Sequence, residues 1–379
     1  MIQPIPRRVI DFHAHFIVPG VRFDAWARWE EEYAAQFGQA KLEFWRERRR
    51  QNVAARWRGL ADAEDRVQTE EEAVALWKQQ VDVHGLNAIV FLTGGGNDRL
   101  SRIVREYPGR FIGFAHHDPF APNAAEELER AVTELGLRGY KILAPVLSKP
   151  VDDPAAYPVW ETAERLGIPV LIHFGILGGG GGIAGADNCN PLRLERVAQG
   201  FPGIPFVIPH FGAGYMRELL LLCWSCPNVH VDTSGSLQWM RWVPGDMTLR
   251  SVLRTFMESV GPERILFGTD SSALPRGFIR MYYDELQRTC WSLNIPEEHQ
   301  DLIFYGNAAR LLRLPPETAR KPGENPEGVS APQAAGPPGA AEQAAATAAV
   351  AAPVWTAAPA GVAAAGARPA AGREGGTQG

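Results

Sequence analysis

Two histidines near the amino terminus have a spacing that suits a metal ion. They belong to the run DFHAH at positions 11–15, which follows an apolar pair and is typical of a β-strand. Because side chains alternate between the two faces of a strand, His13 and His15 project to the same side, about 6 to 7 Å apart along the chain. A His-x-His pair also arises by chance in a chain with nine histidines. The pair alone therefore indicates a metal site without establishing it.

Further residues capable of chemistry stand where short β-rich runs end, each run being followed by a helical pattern. Eight such runs cover residues 9–13, 87–92, 110–115, 138–143, 168–173, 205–210, 228–232 and 264–269. The polar residues at or just after their carboxyl ends are His13, His15, Lys141, His173, His210, Asp232 and Asp270. Strands that alternate with helices form βαβ units, and eight over about 300 residues predict a (β/α)₈ TIM barrel of the α/β class. The chemistry of such a barrel lies at the carboxyl ends of its strands.

The segments between the strands have helical signals. Thr69 begins a capping box, apolar residues recur after it at helical spacing, and Gly85 ends the helix. Similar patterns predict helices over 124–135, 155–166, 192–200, 215–223, 249–260 and 279–291. Residues 21–68, which are rich in Trp, Arg and Glu, separate the first strand from the first of these helices. We expect them to form a helical insertion over the barrel mouth.

The composition predicts one large core and a tail that cannot build another. The chain has 379 residues, 45% of them hydrophobic, and we expect a barrel domain over 1–314. Residues 315–379 are mainly Ala, Pro and Gly, which predicts a disordered tail. The net charge of −5 gives no electrostatic basis for a nucleic-acid partner. No apolar run has the length of a signal peptide or a membrane span, so we expect a cytoplasmic protein with no membrane partner.

Five motifs resemble, in order and in spacing, those of the amidohydrolase superfamily. They are DFHAH at 11–15, VLIH at 170–173, IPHFGAG at 208–214, ILFGTD at 265–270 and GNAARLL at 306–312. The resemblance covers residues 8–314 and is strongest to the amidohydrolase-related branch, which includes the aminocarboxymuconate-semialdehyde decarboxylase-like proteins. It implies a metal-dependent enzyme that acts on a small molecule, and a homodimer.

The resemblance also implies a role for each matching residue. His13, His15, His173 and Asp270 would bind one divalent ion, expected to be Zn²⁺. Three imidazoles and a carboxylate suit such a cation and leave a coordination position for water or substrate. His210 would act beside the metal as an acid or base or polarise the substrate, and Asp270 could also transfer a proton.

Lys141 has two interpretations. Binuclear members of the superfamily carry a carbamylated lysine at the end of the fourth strand, where it bridges two ions. The mononuclear branch does without that ligand. Because the motif set resembles the mononuclear branch, we favour Lys141 as a charged partner in or near the barrel mouth, where it could bind substrate.

Several other residues could contribute to substrate binding or metal binding at the barrel mouth. His116 follows the third strand and could contact substrate, and Arg276, Arg56 or Arg58 could bind a substrate carboxylate in bidentate fashion. Asp232 could hold a metal-bound histidine in one tautomer. The glycine run 178–182 suits a mobile lid.

Two enzymatic functions fit these residues. We expect first a hydrolase that attacks an amide, lactone or ester with metal-activated water, and second a nonoxidative decarboxylase of an aromatic or muconate-type acid. A barrel protein without catalytic activity is a third hypothesis. The complete set of predicted metal ligands argues against it. Because specificity depends on the insertion and the loops, the substrate itself does not follow from these motifs.

Overall fold

The computed structural model describes residues 3–315, apart from 19–23, 57–68, 178–185, 236–238, 241–242, 273 and 275. The tail predicted from residue 315 onward therefore lies outside the described residues, except for its first residue. The glycine run 178–182 and Arg58 also lie outside them, and only the backbone of Arg56 is described.

Eight parallel strands are present in the described part of the chain, one in each region that the sequence predicts. They are β1 (Ile10–Ala14), β2 (Ala88–Phe91), β3 (Phe111–Gly113), β4 (Tyr140–Leu143), β5 (Val170–His173), β6 (Phe206–Ile208), β7 (Val229–Asp232) and β8 (Ile265–Leu266). Strands β1 to β3 pair in one sheet and β4 to β8 in another. Two parallel bridges, Ala115 with Tyr140 and Ala14 with Ser271, join these sheets on both sides. The predicted (β/α)₈ barrel is confirmed.

The described residues form twelve α-helices. They are α1 (Asp24–Phe37), α2 (Gln39–Arg56), α3 (Glu70–His84), α4 (Asn97–Arg105), α5 (Ala124–Thr133), α6 (Tyr157–Leu166), α7 (Glu195–Gly200), α8 (Met216–Ser225), α9 (Leu249–Ser259), α10 (Arg280–Ser292), α11 (Glu297–Asp301) and α12 (Asn307–Leu311). None of those within the described residues is long and apolar enough to cross a membrane.

Local signals explain why one helix was predicted and another was not. Helix α3 begins as expected, because the Thr69 hydroxyl accepts a hydrogen bond from the Glu72 amide at 3.1 Å. It ends at Gly85, whose φ of 69° lies in the left-handed region that glycine tolerates. Helix α4 was not predicted, because it starts after Gly96, which has no side chain to cap it. It is held instead by the burial of Leu100 and its neighbours.

The alternation of side chains along the strands, which an irregularity between Asp11 and Ala14 interrupts in β1, separates two apolar layers. The barrel interior contains Phe12, Val90, Leu171, Val207 and Leu266, together with Tyr305 and Leu311 from the last turns of the domain. The other layer packs the outer face of the strands against the helices. On β4, Tyr140 and Ile142 belong to that outer layer, so Lys141 between them points into the barrel.

The described part of the insertion after β1, residues 24–56, is helical, as predicted. Helices α1 and α2 contact each other, and the Arg46 guanidinium donates two hydrogen bonds, of 3.0 and 2.6 Å, to the buried Glu30 carboxylate. Such bidentate pairs fix orientation as well as distance. Helix α1 also contacts residues 144–146, directly after the carboxyl end of β4, which places the insertion on the mouth side of the barrel.

Candidate metal centre

The junction between β1 and β8 brings the first and last motifs together. The Asp270 amide donates to the His13 carbonyl at 2.7 Å, and the His15 amide donates to the Ser271 carbonyl at 2.8 Å. The Asp11 carboxyl accepts a hydrogen bond of 2.9 Å from the Thr269 amide. Burial raises the pKa of Asp11 to about 7 despite its hydrogen bonds from Thr269 and His13. These bonds fix the backbone positions from which the side chains of residues 11–15 and 269–271 project.

Three of the four predicted metal ligands converge at this junction. Asp270 Oδ1 lies 3.6 Å from His13 Nε2 and 3.2 Å from His15 Nε2. Each of the three residues can present one ligand atom within 4.8 Å of the other two. The buried Nε2 of His13 has no hydrogen-bond partner among the described residues. A divalent cation would satisfy this buried nitrogen, so the donor set fits a metal ion.

The electrostatics of these ligands suit metal binding. Burial lowers the pKa of His13 to about 3, so the ring is neutral and keeps a lone pair for coordination. Burial would raise the pKa of Asp270, but a hydrogen bond with His15 and the nearby His13 and His210 rings hold it well below its usual range. Asp270 is therefore ionised at neutral pH, as a metal ligand must be.

The other ring nitrogen of each histidine in the pair is held by a side chain from elsewhere in the barrel. His13 Nδ1 lies 2.8 Å from Asp232 Oδ2, and His15 Nδ1 lies 2.9 Å from the Thr93 hydroxyl. Burial would raise the pKa of Asp232, but the contact with His13 keeps it below its usual range. Because an ionised carboxylate only accepts, His13 donates through Nδ1 and presents its Nε2 lone pair.

His173, the fourth predicted ligand, lies beside His210 rather than in the converged group. His173 Nδ1 is 3.2 Å from His210 Nε2, and His173 Nε2 is 3.1 Å from the Ile176 carbonyl oxygen. Burial and the neighbouring His210 lower the pKa of His173 well below its usual value. The His210 ring in turn lies 4.9 Å from that of His13, measured between centroids. Coordination by His173 stays a prediction.

Both proposed catalytic residues have a left-handed backbone. The φ angle is 60° at His210 and at Asp270, and it is also positive at Phe211 and Ala213, which follow His210. Non-glycine residues in this region carry strain of about 1 to 3 kcal/mol each. Strained backbone of this kind concentrates at functional sites, where packing fixes the direction of a side chain.

Lys141 lies inside the barrel with a buried Nζ that has no hydrogen-bond partner within the described part of the chain. Burial lowers its pKa to about 8, an effect that the nearby carboxylates of Asp270 and Asp232 partly offset. The amine is therefore mainly charged at pH 7 and acts electrostatically on the same carboxylates as the candidate metal. Its binding to substrate stays a prediction, and its carbamylation stays the alternative interpretation.

The two remaining candidates for substrate binding lie in different surroundings. His116 Nε2 accepts hydrogen bonds from the amides of Gly94 and Gly96, at 3.3 and 3.0 Å, so its ring holds the turn after β2. That turn follows Thr93, the partner of His15. Arg276 lies six residues after Asp270 in the sequence, with a buried Nε that finds no partner in the described ranges. Contact of either residue with a substrate stays a prediction.

Two residues of this site, Thr93 and Ser234, escaped the sequence reasoning. Ser234 lies two residues beyond the end of β7, and its hydroxyl contacts Asp232, His13 and His210. Its position just after a strand end was a weak signal, since serine is common in turns. Its importance follows from its contacts.

Comparison with known families identifies the family of this chain. The sequence profile named Amidohydrolase matches residues 10–314, which include every strand and every candidate ligand. The chain belongs to the amidohydrolase family. Among curated relatives, a 2-amino-3-carboxymuconate-6-semialdehyde decarboxylase of Dictyostelium discoideum is 40% identical over 78 residues, covering 20% of this chain and 22% of that protein. A gamma-resorcylate decarboxylase of Rhodococcus jostii is 28% identical over 269 residues, covering 58% of this chain and 75% of that protein.

Solved structures confirm the fold of this family member. A dihydroxybenzoic acid decarboxylase from Polaromonas, solved with manganese and the inhibitor 2-nitroresorcinol, superposes with a TM-score of 0.55. The alignment covers 81% of this chain and 97% of that protein, at 20% sequence identity. At this identity the likeness establishes the barrel alone.

Proposed function

We propose that this amidohydrolase-family enzyme is a metal-dependent, nonoxidative decarboxylase of a small aromatic or muconate-type acid. The observation that carries the proposal is the convergence of His13 Nε2, His15 Nε2 and Asp270 Oδ1 at the mouth of the barrel. The names of the two curated relatives, both decarboxylases, favour loss of CO₂ over hydrolysis. The buried cation of Lys141 supports an anionic substrate.

The donor set limits the choice of ion without selecting one. Imidazole nitrogens and a carboxylate oxygen suit Zn²⁺ and also Mn²⁺, the ion reported in the Polaromonas decarboxylase. We propose that His13, His15 and Asp270 hold one such ion, with His173 as the fourth ligand. When bound, it would supply positive charge that polarises the oxygen atoms of the substrate.

Two residues of the chain would act on the substrate itself. Lys141 would balance the negative charge of the acid, because its ammonium is buried without a protein partner among the described residues. His210 would take a proton from a substrate hydroxyl or from water and return it to the carbon that loses CO₂. In that step the bond to the carboxylate breaks, its electron pair stays on the carbon, and the proton from His210 forms the new C–H bond.

Hydrolysis, our first expectation from the sequence, would use the same ligands. One experiment separates the two reactions. The enzyme loaded with Zn²⁺ or Mn²⁺ is incubated in H₂¹⁸O with hydroxybenzoic acids, muconate-type acids, lactones, esters and amides, while CO₂ release and ¹⁸O in the product are recorded. We expect CO₂ from an acid and no stoichiometric ¹⁸O in the product. Stoichiometric ¹⁸O without CO₂ would establish a hydrolase and overturn this proposal. Enzyme with Asp270→Asn serves as the control for background decay.

A further inference from the structure

The hydroxyl of Ser234 connects the candidate metal ligand to the candidate acid/base. Ser234 is fully buried, and its Oγ lies 2.9 Å from His13 Nδ1 and 2.9 Å from His210 Nδ1. The same Oγ makes a short hydrogen bond to Asp232 Oδ1. Three polar side chains, from β1, from β7 and from the turn just after β6, thus meet at one oxygen atom.

The donor and acceptor capacity of these groups assigns the direction of each bond. A serine hydroxyl has one proton and two lone pairs, and an ionised carboxylate only accepts. The Ser234 proton must therefore go to Asp232. Its two lone pairs remain for the two histidines, which must then each donate through Nδ1. The single Nδ1 proton of His13 is shared between Ser234 Oγ and Asp232 Oδ2. The Nε2 lone pair of His210 faces His173 Nδ1 at 3.2 Å, so the neutral His173 must donate there, and its 3.1 Å contact with the Ile176 carbonyl then holds no proton.

We propose that Ser234 is a positioning residue that fixes both His13 and His210 in the Nδ1–H tautomer. The Nε2 atom of each ring then carries a lone pair. At His13 this lone pair is available to a metal ion. At His210 it makes Nε2 a proton acceptor, in the same way that a carboxylate-oriented histidine serves as a general base. The inference concerns the protein itself and does not depend on whether the reaction is decarboxylation or hydrolysis.

The two histidines depend on Ser234 to different degrees. His13 Nδ1 has a second acceptor, because Asp232 Oδ2 lies 2.8 Å away. For His210 Nδ1, Ser234 Oγ is the hydrogen-bond partner recorded within the described ranges. Without the Ser234 hydroxyl, His210 should therefore populate both neutral tautomers, whereas His13 should keep its proton on Nδ1.

A neighbouring glycine makes this arrangement sterically feasible. A Cβ atom on Gly235 would lie 2.3 Å from His210 Nδ1, which is far inside van der Waals contact. The φ of Gly235 is +77°, a conformation that side chains disfavour. Because Gly235 has no Cβ atom, the His210 ring has room to approach the Ser234 hydroxyl.

The test is a measurement of histidine tautomers by ¹⁵N NMR, in protein labelled at its histidine side chains. Spectra of wild type, Ser234→Ala and Ser234→Thr are recorded at fixed pH, metal-free and after addition of Zn²⁺. The His13 and His210 signals are assigned by their loss in His13→Gln and His210→Gln. Ser101→Ala is the matched control, because Ser101 is a buried serine on α4 whose hydroxyl bonds the Leu135 carbonyl.

We expect the Nδ1–H tautomer at both histidines in wild type. In Ser234→Ala, His210 should become a mixture of tautomers while His13 stays unchanged, and Ser234→Thr should restore the wild-type pattern. With a substrate in hand, Ser234→Ala should lower kcat by about 10- to 100-fold with little change in KM. An Nε2–H tautomer of His210 in wild type would overturn the proposal, even if the variants fail to fold. An unchanged His210 signal in a folded Ser234→Ala protein would also overturn it.

Discussion

Replacement of Lys141 by methionine should stabilise the metal-free protein at neutral pH. The two side chains have similar length and volume, so the change mainly removes a buried charge. In the folded protein, burial lowers the pKa of Lys141 from 10.5 to about 8. At 1.36 kcal/mol per pKa unit, this difference corresponds to about 3 kcal/mol of destabilisation by the charged form. The side chain is almost completely buried, so solvent does not screen this cost.

The sign of the pH dependence follows from proton binding. Between pH 8 and 10.5 the unfolded chain keeps a proton on Lys141 that the folded protein has lost, so the stability of the wild type rises with pH over this interval. Below pH 8 both states are protonated, and the full cost is present. The methionine variant lacks this contribution. The difference in the free energy of unfolding between variant and wild type should therefore shrink by about 3 kcal/mol from pH 7 to pH 10.5.

Urea denaturation of both metal-free proteins at several pH values measures this difference directly. Lys149→Met, at a half-exposed position, controls for the loss of a lysine from the surface. If the difference in the free energy of unfolding between variant and wild type stays constant from pH 7 to 10.5, the Lys141 amine does not titrate in this interval as its burial requires, and the reasoning is refuted. A variant less stable than wild type at pH 7 would show that attraction to Asp232 and Asp270 outweighs the desolvation of the ammonium.

Three further predictions concern the metal, the catalytic pair and the tail. Purified protein should contain about one equivalent of a divalent metal by elemental analysis and lose activity on chelation; full activity without metal would contradict the assignment of the centre. Asp270→Asn should weaken metal binding or abolish turnover, whereas His210→Asn should retain metal and lose several orders of magnitude in kcat; loss of metal from His210→Asn would instead indicate a binuclear site. Deletion from Arg320 onward should leave melting temperature and turnover nearly unchanged, because the composition of the tail cannot offset its ordering entropy. A large drop in either quantity would show that the tail packs on the barrel.

The features that the sequence predicted correctly depend on short-range patterns. The His-x-His spacing correctly predicted that His13 and His15 face a common point, since both Nε2 atoms lie near Asp270 Oδ1, and the caps of α3 defined its ends to within a residue. The parallel order of eight strands then brought their carboxyl ends together, as the barrel requires. Helix α4 was missed because its start has no side-chain cap and its burial arises from contacts with other elements.

The sequence by itself determined the barrel and the residue types at its mouth, since strand periodicity, helix caps and motif order are properties of neighbouring residues. The tertiary structure decided which ring nitrogen each histidine presents. His13 and Asp232 are 219 residues apart in the chain, and His13 and Ser234 are 221 apart. Contacts over such separations depend on barrel closure and on side-chain rotamers, which no local pattern encodes. A hydrogen bond requires its atoms to meet within a few tenths of an ångström, and packing of the whole barrel sets that precision.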